Sequence, residues 1–225
     1  IQTPSAILIG DSNAAHYVGM IGAFAKKQGF TFRNLQISAC PPVIEKVEKY
    51  ASRKYLVNCR ASLKKLWPEL KGYKVIIVSA SWLNYQNRSA EFLSSFYKTV
   101  TSLTNNNQEV IILGKAPIIP SYNQDCLARS LSFPFVKCNG SLSYLDSNIE
   151  NINLALQKFA RLRERVEYFD ANEFLCSNKN CSAYNKNGKP MYFDTSHLSI
   201  PGSWQLGKDI IRREGVPYPF NLLGE

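Results

Sequence analysis

Ser5-Ala6-Ile7-Leu8-Ile9-Gly10-Asp11-Ser12-Asn13-Ala14-Ala15-His16 is a run of apolar residues that ends in a Gly-Asp-Ser turn and continues as a helix-like stretch. Ser5–Ile9 has no polar alternation, which marks a strand buried on both faces. Asn13–Gln28 places Tyr17, Met20, Ile21 and Phe24 on one helical stripe and stops at Gly29. The same alternation recurs along the chain. Thr31–Ser38 reads as a strand and Glu45–Leu70 as a charged helical region in one or two pieces. Val75–Ser79 is a second buried strand, Ser89–Thr104 a helix and Glu109–Leu113 a third buried strand. Ser147–Arg165 is an amphipathic helix, Val166–Phe169 a short strand and Ile200–Glu214 a closing helix, while Asn178–Gly188 reads as a polar loop. Continuous apolar strands separated by helices predict an α/β fold, a three-layer α/β/α domain with a mostly parallel sheet over residues 1–225. In such sheets ligands bind at the carboxyl ends of strands, which here means Gly10–Ser12, Ser79–Trp82, Gly114–Pro117 and the loop after Asp170.

Composition narrows the class. With 45% apolar residues and 12% aromatics, the 225 residues can bury a real core, which excludes a disordered chain. Apolar runs such as Val75-Ile76-Ile77-Val78 are too short to cross a bilayer. The chain shows no signal-like segment, so any targeting sequence is expected outside it. The net charge is +10, and Glu45–Lys74 holds much of the excess: nine cations (Lys46, Lys49, Arg53, Lys54, Arg60, Lys64, Lys65, Lys71, Lys74) against Glu45, Glu48 and Glu69. Such a patch suits nucleic acid, anionic lipid or an acidic glycan, or simply a solvated helix face.

The six cysteines fall as three local couples, Cys40/Cys59, Cys126/Cys138 and Cys176/Cys181, each bracketing a polar stretch. None has the C-x-x-C spacing of a zinc site, and only two histidines exist to complete one, so no metal is expected. Nearest-neighbour disulfides and an oxidising compartment are the preferred reading, against reduced buried thiols in a cytosolic protein. An oxidising compartment argues against nucleic acid as the partner.

The chemistry starts at Gly10-Asp11-Ser12. A glycine turn lifts Ser12 above the sheet edge, where a following helix aims free N–H groups. Ser12 can act as nucleophile, with its own N–H facing the oxyanion formed on attack. Plain helix capping by Asp11 or Ser12 accounts for the same residues. A serine needs a base. His16 lies one helical turn beyond Ser12 but has no carboxylate at an orienting distance. His197 stands in Asp194-Thr195-Ser196-His197-Leu198-Ser199, where Asp194 can accept from Nδ1–H and leave Nε2 to face the nucleophile.

A strand–GDS turn near one end and D-x-x-H-L-S near the other resemble the SGNH, or GDSL-like, hydrolase/transferase superfamily over the whole chain. The resemblance is sharper to the extracytoplasmic SGNH domain fused behind acyltransferase-3 membrane proteins that O-acetylate bacterial surface polysaccharides. It is carried by Ile7-Leu8-Ile9-Gly10-Asp11-Ser12, Ser38-Ala39-Cys40-Pro41-Pro42, Val78-Ser79-Ala80-Ser81-Trp82 and Met191-Tyr192-Phe193-Asp194-Thr195-Ser196-His197-Leu198-Ser199, and paired loop cysteines also look like that subgroup. The resemblance implies a flavodoxin-like sheet, with Ser12 as nucleophile, His197 as base and Asp194 as its orienter. It also implies a fragment of a larger membrane protein at the periplasmic face of the inner membrane. The acceptor would be a polysaccharide such as lipopolysaccharide O-antigen. No cofactor would be bound by this domain, because acetyl, ultimately from acetyl-CoA, would arrive through an N-terminal membrane domain. The basic segment would meet an anionic membrane surface or an acidic glycan.

The sequence departs from the superfamily pattern where oxyanion donors are expected. The second block, Ser38-Ala39-Cys40, lacks glycine, and the third has Ser81-Trp82 in place of Gly-x-Asn, with Asn84 out of register. Ser12, Ala39, Ser81 and Asn84 are therefore the candidate donors. Trp82 and His16 are the candidate substrate contacts, Trp82 as a wall for a sugar face, and Tyr122, Tyr184 and Tyr192 are aromatics of the expected rim. Three functions remain open: an O-acetyltransferase, a secreted carbohydrate acetylesterase and a non-catalytic glycan-binding module.

Overall fold

The computed structural model describes residues 4–133, 135 and 142–224. Five parallel strands form the central sheet: β1 (Ala6–Gly10), β2 (Phe32–Gln36), β3 (Val75–Ser79), β4 (Glu109–Leu113) and, after a short strand β5 (Leu142–Tyr144) that lies elsewhere, β6 (Val166–Phe169). Their order is β2-β1-β3-β4-β6, the flavodoxin-like order, with the first crossover reversing direction beside β1. β1 and β3 are buried at every position, as their unbroken apolar runs predict, whereas the edge strand β2 has no fully buried residue.

Two cores flank the sheet. One side carries α3 (Val47–Tyr50), α4 (Arg53–Leu70), α5 (Trp82–Arg88), α6 (Phe92–Asn105) and, beyond α7 (Cys126–Ser132), α8 (Ser147–Arg161). The other carries α1 (Ser12–Ala15), α2 (Val18–Gln28), the short α9 (Asn172–Leu175) and the closing helix α10 (Ile200–Glu214). The helix expected over Asn13–Gln28 is two helices, broken at His16-Tyr17, with Gly29 as its left-handed cap at φ 88°. α5 was not expected. The stretch read as a polar loop holds β8 (Asn180–Ser182), which pairs antiparallel with β5 and with β7 (Cys176–Ser177). Strands of two or three residues are too short to show a period.

Two features of this scaffold position the site. Gly10 adopts φ 136°, and a Cβ there would sit 1.7 Å from the Ser79 carbonyl oxygen, so only glycine lets β1 turn so tightly against β3. α10 packs on α2 through Gly19, whose Cβ would meet the Trp204 backbone at 2.6 Å, and through Ser203 Oγ accepting from Met20 N–H at 2.9 Å. The helix that follows His197 is thereby fixed to the helix that follows Ser12.

Disulfides join Cys40 to Cys59 and Cys176 to Cys181, as expected. The expected Cys126–Cys138 pairing falls on residue 138, outside the described residues. No helix among the described residues is long and apolar enough to cross a membrane.

Candidate active site

Asp11 builds the turn that carries Ser12. It is the N-cap of α1, and its carboxylate, 1% exposed, accepts from four donors. Oδ1 takes Asn13 N–H at 2.8 Å and Asn13 Nδ2 at 3.0 Å, while Oδ2 takes Ser81 N–H at 2.9 Å and the Tyr85 hydroxyl at 2.8 Å. One side chain thus caps the helix that starts at Ser12 and ties it to the end of β3. Capping and presentation of Ser12 are the same construction, with Asp11 as the cap and Ser12 half-buried at the rim.

His197 arrives from the opposite end of the sequence. Ser12 Oγ lies 2.9 Å from His197 Nε2, and His197 Nδ1 lies 2.8 Å from Asp194 Oδ2. Spacing explains the second contact. Asp194 Oδ1 accepts the N–H groups of Ser196 and His197 at 2.7 and 2.8 Å, closing an Asx turn that swings the imidazole back onto the carboxylate that closed it. Burial pushes the Asp194 carboxyl up, but the hydrogen bonds from Ser196 and His197 outweigh it and hold the group below its usual range, ionised. With the carboxylate accepting from Nδ1–H, Nε2 is left to accept from the Ser12 hydroxyl. Ile119 N–H donating to Thr195 O at 2.7 Å pins the loop from outside.

The oxyanion candidates separate. The N–H groups of Ser12 and Ala39 make no hydrogen bond among the described residues. Ala39 stands at φ 54°, a backbone region that favours glycine. Ile37 N–H donates to Gly10 O at 2.8 Å and holds that loop beside the Ser12 turn. Ser81 N–H, by contrast, is already given to Asp11, and Asn84 Nδ2 donates to Ser81 Oγ at 2.7 Å.

The two candidate substrate contacts are not where the sequence reading put them. Trp82 is fully buried, donates Nε1–H to Leu113 O at 2.9 Å and packs on Phe92 and Phe96. It is core and cannot stack on a sugar. His16 is 3% exposed, lies edge-on to Tyr17 and to His197, and has no hydrogen-bond partner among the described residues for either ring nitrogen. Burial, then the charges of Lys115 and His197, hold it well below the usual histidine range, so it is neutral. Tyr122 and Tyr192 are buried, their hydroxyls spent on the carbonyls of Tyr192 and Pro117, and Tyr184 packs half-buried against Tyr122. Phe193, whose N–H donates to His197 O at 2.8 Å, is 62% exposed.

Sequence reasoning also passed over Lys115, although Gly114–Pro117 follows a buried strand at the expected edge. Its ammonium, 4% exposed, donates to Asn13 Oδ1 at 2.7 Å and to Ser196 O at 3.4 Å. A lysine placed one glycine after four buried apolar residues was the available signal.

A family model described as the SGNH domain fused to AT3 domains matches residues 1–212. Among solved structures, the periplasmic domain of a lipopolysaccharide acetyltransferase from Salmonella ser. Paratyphi A aligns with TM-score 0.68 and 20% identity, covering 95% of this chain and 84% of that one. A catalytic mutant of an acetylxylan esterase from Geobacillus stearothermophilus aligns at 0.52 with 12% identity over 98% of both chains. A GDSL-like lipase from Bacteroides thetaiotaomicron aligns at 0.52 with 11% identity, over 92% of this chain and 85% of that one. At these identities the likeness is one of fold. No curated protein matches the sequence.

Proposed function

The chain belongs to the SGNH family of domains fused to AT3 domains, and from that premise we propose that it is the acyl-transferring domain of a surface-polysaccharide O-acetyltransferase, with Ser12 as the nucleophile. The observation that carries the reading is the continuous Ser12–His197–Asp194 hydrogen-bond chain. Ser12 Oγ attacks the acyl carbonyl while its proton passes to His197 Nε2, and that proton leaves with the departing group. The N–H groups of Ser12 and Ala39 receive the oxyanion. An acceptor hydroxyl then attacks the acyl-serine, giving its proton to His197, and Ser12 is regenerated.

Acyl transfer to a sugar rather than to water requires an acceptor held at the acyl-serine. Phe193 is the aromatic we assign to that role in place of Trp82. The acetyl group is delivered by the AT3 membrane domain, and the reaction takes place at the periplasmic face. The exposed cations of α4, among them Lys54, Lys64 and Lys65, suit contact with an anionic membrane surface. An acetylesterase is the second reading, favoured because the triad lies entirely within this chain and needs only water to complete hydrolysis. The test is Ser12→Ala in the full-length protein: polysaccharide acetylation disappears while the domain stays folded. Acetylation at wild-type level in that variant overturns the proposal. Free acetate released with no sugar acetylated selects the esterase.

A further inference from the structure

We propose that Lys115 is a positioning residue, a buried cationic clamp that joins the turn carrying Ser12 to the loop carrying His197. Its two acceptors are the side chain of Asn13, next after Ser12, and the main-chain carbonyl of Ser196, immediately before His197. These two segments are more than 180 residues apart in sequence, and the ammonium contacts both. The lysine is itself held rigidly. Asn153 Oδ1 accepts Lys115 N–H at 2.8 Å, and the side-chain amides of Asn153 and Asn172 both donate to Lys115 O. Three buried asparagines are therefore arranged around one lysine, an outlay of polar groups that a purely apolar strand end would not need.

The charge matters as well as the contacts. The carboxylates whose charges act on the ammonium are Asp11 on the Ser12 turn and Asp194 on the His197 loop, and the ammonium acts in turn on the imidazole of His16; Asn153 and Asn172, from α8 and α9, are neutral. The cation is thus attracted by one carboxylate from each of the two segments that it joins. Burial pushes Lys115 down to about 8, while Asp11 and Asp194 pull it the other way, which leaves the ammonium charged at neutral pH. The clamp rests on the reading of Ser12 and His197 as the reacting pair, but the NMR arm of its test does not.

The chain contains only two histidines, so their ring signals can be followed by NMR at a single pH and assigned with a His16→Gln variant. In Lys115→Met, which loses both contacts, the His197 ring signals shift and labelling of Ser12 by a fluorophosphonate slows by a factor of about ten. Asn13→Ala, which removes the acceptor on the Ser12 side, slows labelling likewise, and Asn13→Ala combined with Lys115→Met is no slower than Lys115→Met alone, because both break one contact. His197 ring signals unmoved in Lys115→Met, or Asn13→Ala labelling at the wild-type rate, overturns the inference. Absence of labelling in every protein, wild type included, counts instead against Ser12 as nucleophile, and the His197 ring signals still decide the role of Lys115.

Discussion

Replacing Asp11 by asparagine exchanges one oxygen for an amino group and tests whether this carboxylate holds the Ser12 turn to the sheet. Its four donors leave the amide no good orientation. With the new NH2 at the Oδ2 position it faces the Ser81 N–H and the Tyr85 hydroxyl. The hydroxyl can turn and accept, but the main-chain N–H cannot. With the NH2 at the Oδ1 position, both Asn13 donors are opposed. The first orientation is the cheaper. It strands one part-buried N–H at about 1–2 kcal/mol, and it turns the remaining charge-assisted bonds into neutral ones at about 1 kcal/mol more. Asp11→Asn is therefore expected to lose about 2–3 kcal/mol in urea unfolding at pH 7. Tyr85→Phe removes one donor and loses about 1 kcal/mol. In a double-mutant cycle the two losses fall short of additive, because they share one oxygen. A loss below about 0.5 kcal/mol for Asp11→Asn, or strict additivity with Tyr85→Phe, would refute the reasoning.

Other perturbations probe different parts of the account. The Cys40–Cys59 bridge spans 19 residues and encloses the cationic segment up to the first turns of α4, so replacing both cysteines by alanine is expected to cost about 3 kcal/mol of chain entropy in denaturant unfolding; a change below 1 kcal/mol would contradict this. At the end of β6, burial pushes the Asp170 carboxyl up to about 6 against the bonds from Asn172 and Tyr168. A carboxyl raised in the folded state favours folding while protonated, so its contribution is complete below about pH 4 and lost as pH rises through about 6. The stability of Asp170→Asn relative to wild type should therefore climb by about 3 kcal/mol between pH 3.5 and 7.5; a constant difference measured by unfolding at the two pH values would dispose of that assignment.

The frame of the molecule was legible because burial on both faces leaves unbroken apolar runs. β1, β3 and β4 fall within a residue of the stretches expected for them, and α10 spans Ile200–Glu214 as read from its pattern. The small sheet of β5, β7 and β8 left no such trace, since strands this short are fixed by turns and by the Cys176–Cys181 bridge rather than by a repeat. At the site, Ser12, Asp194 and His197 were readable because each sits in a local motif whose geometry its neighbours supply. Trp82 was misplaced for a physical reason: an aromatic just past a strand end looks the same in sequence whether the next helix turns it outward or, as here, into Phe92 and Phe96. His16 was misplaced by the break between α1 and α2, which turns its ring inward instead of carrying it along one continuous helix. Lys115 has no motif. Its role depends on Asn13, Ser196, Asn153 and Asn172, four residues from separate segments that only the fold assembles.

The central claim is that Ser12 carries the acyl group, and intact-protein mass measurement after brief exposure to an activated acetyl ester tests it most directly. The account predicts one acetyl group per chain, mapped to Ser12 by peptide analysis, absent from Ser12→Ala and formed far more slowly in His197→Ala. Acetylation that persists in Ser12→Ala, or a wild-type chain that gains no acetyl group, would contradict it.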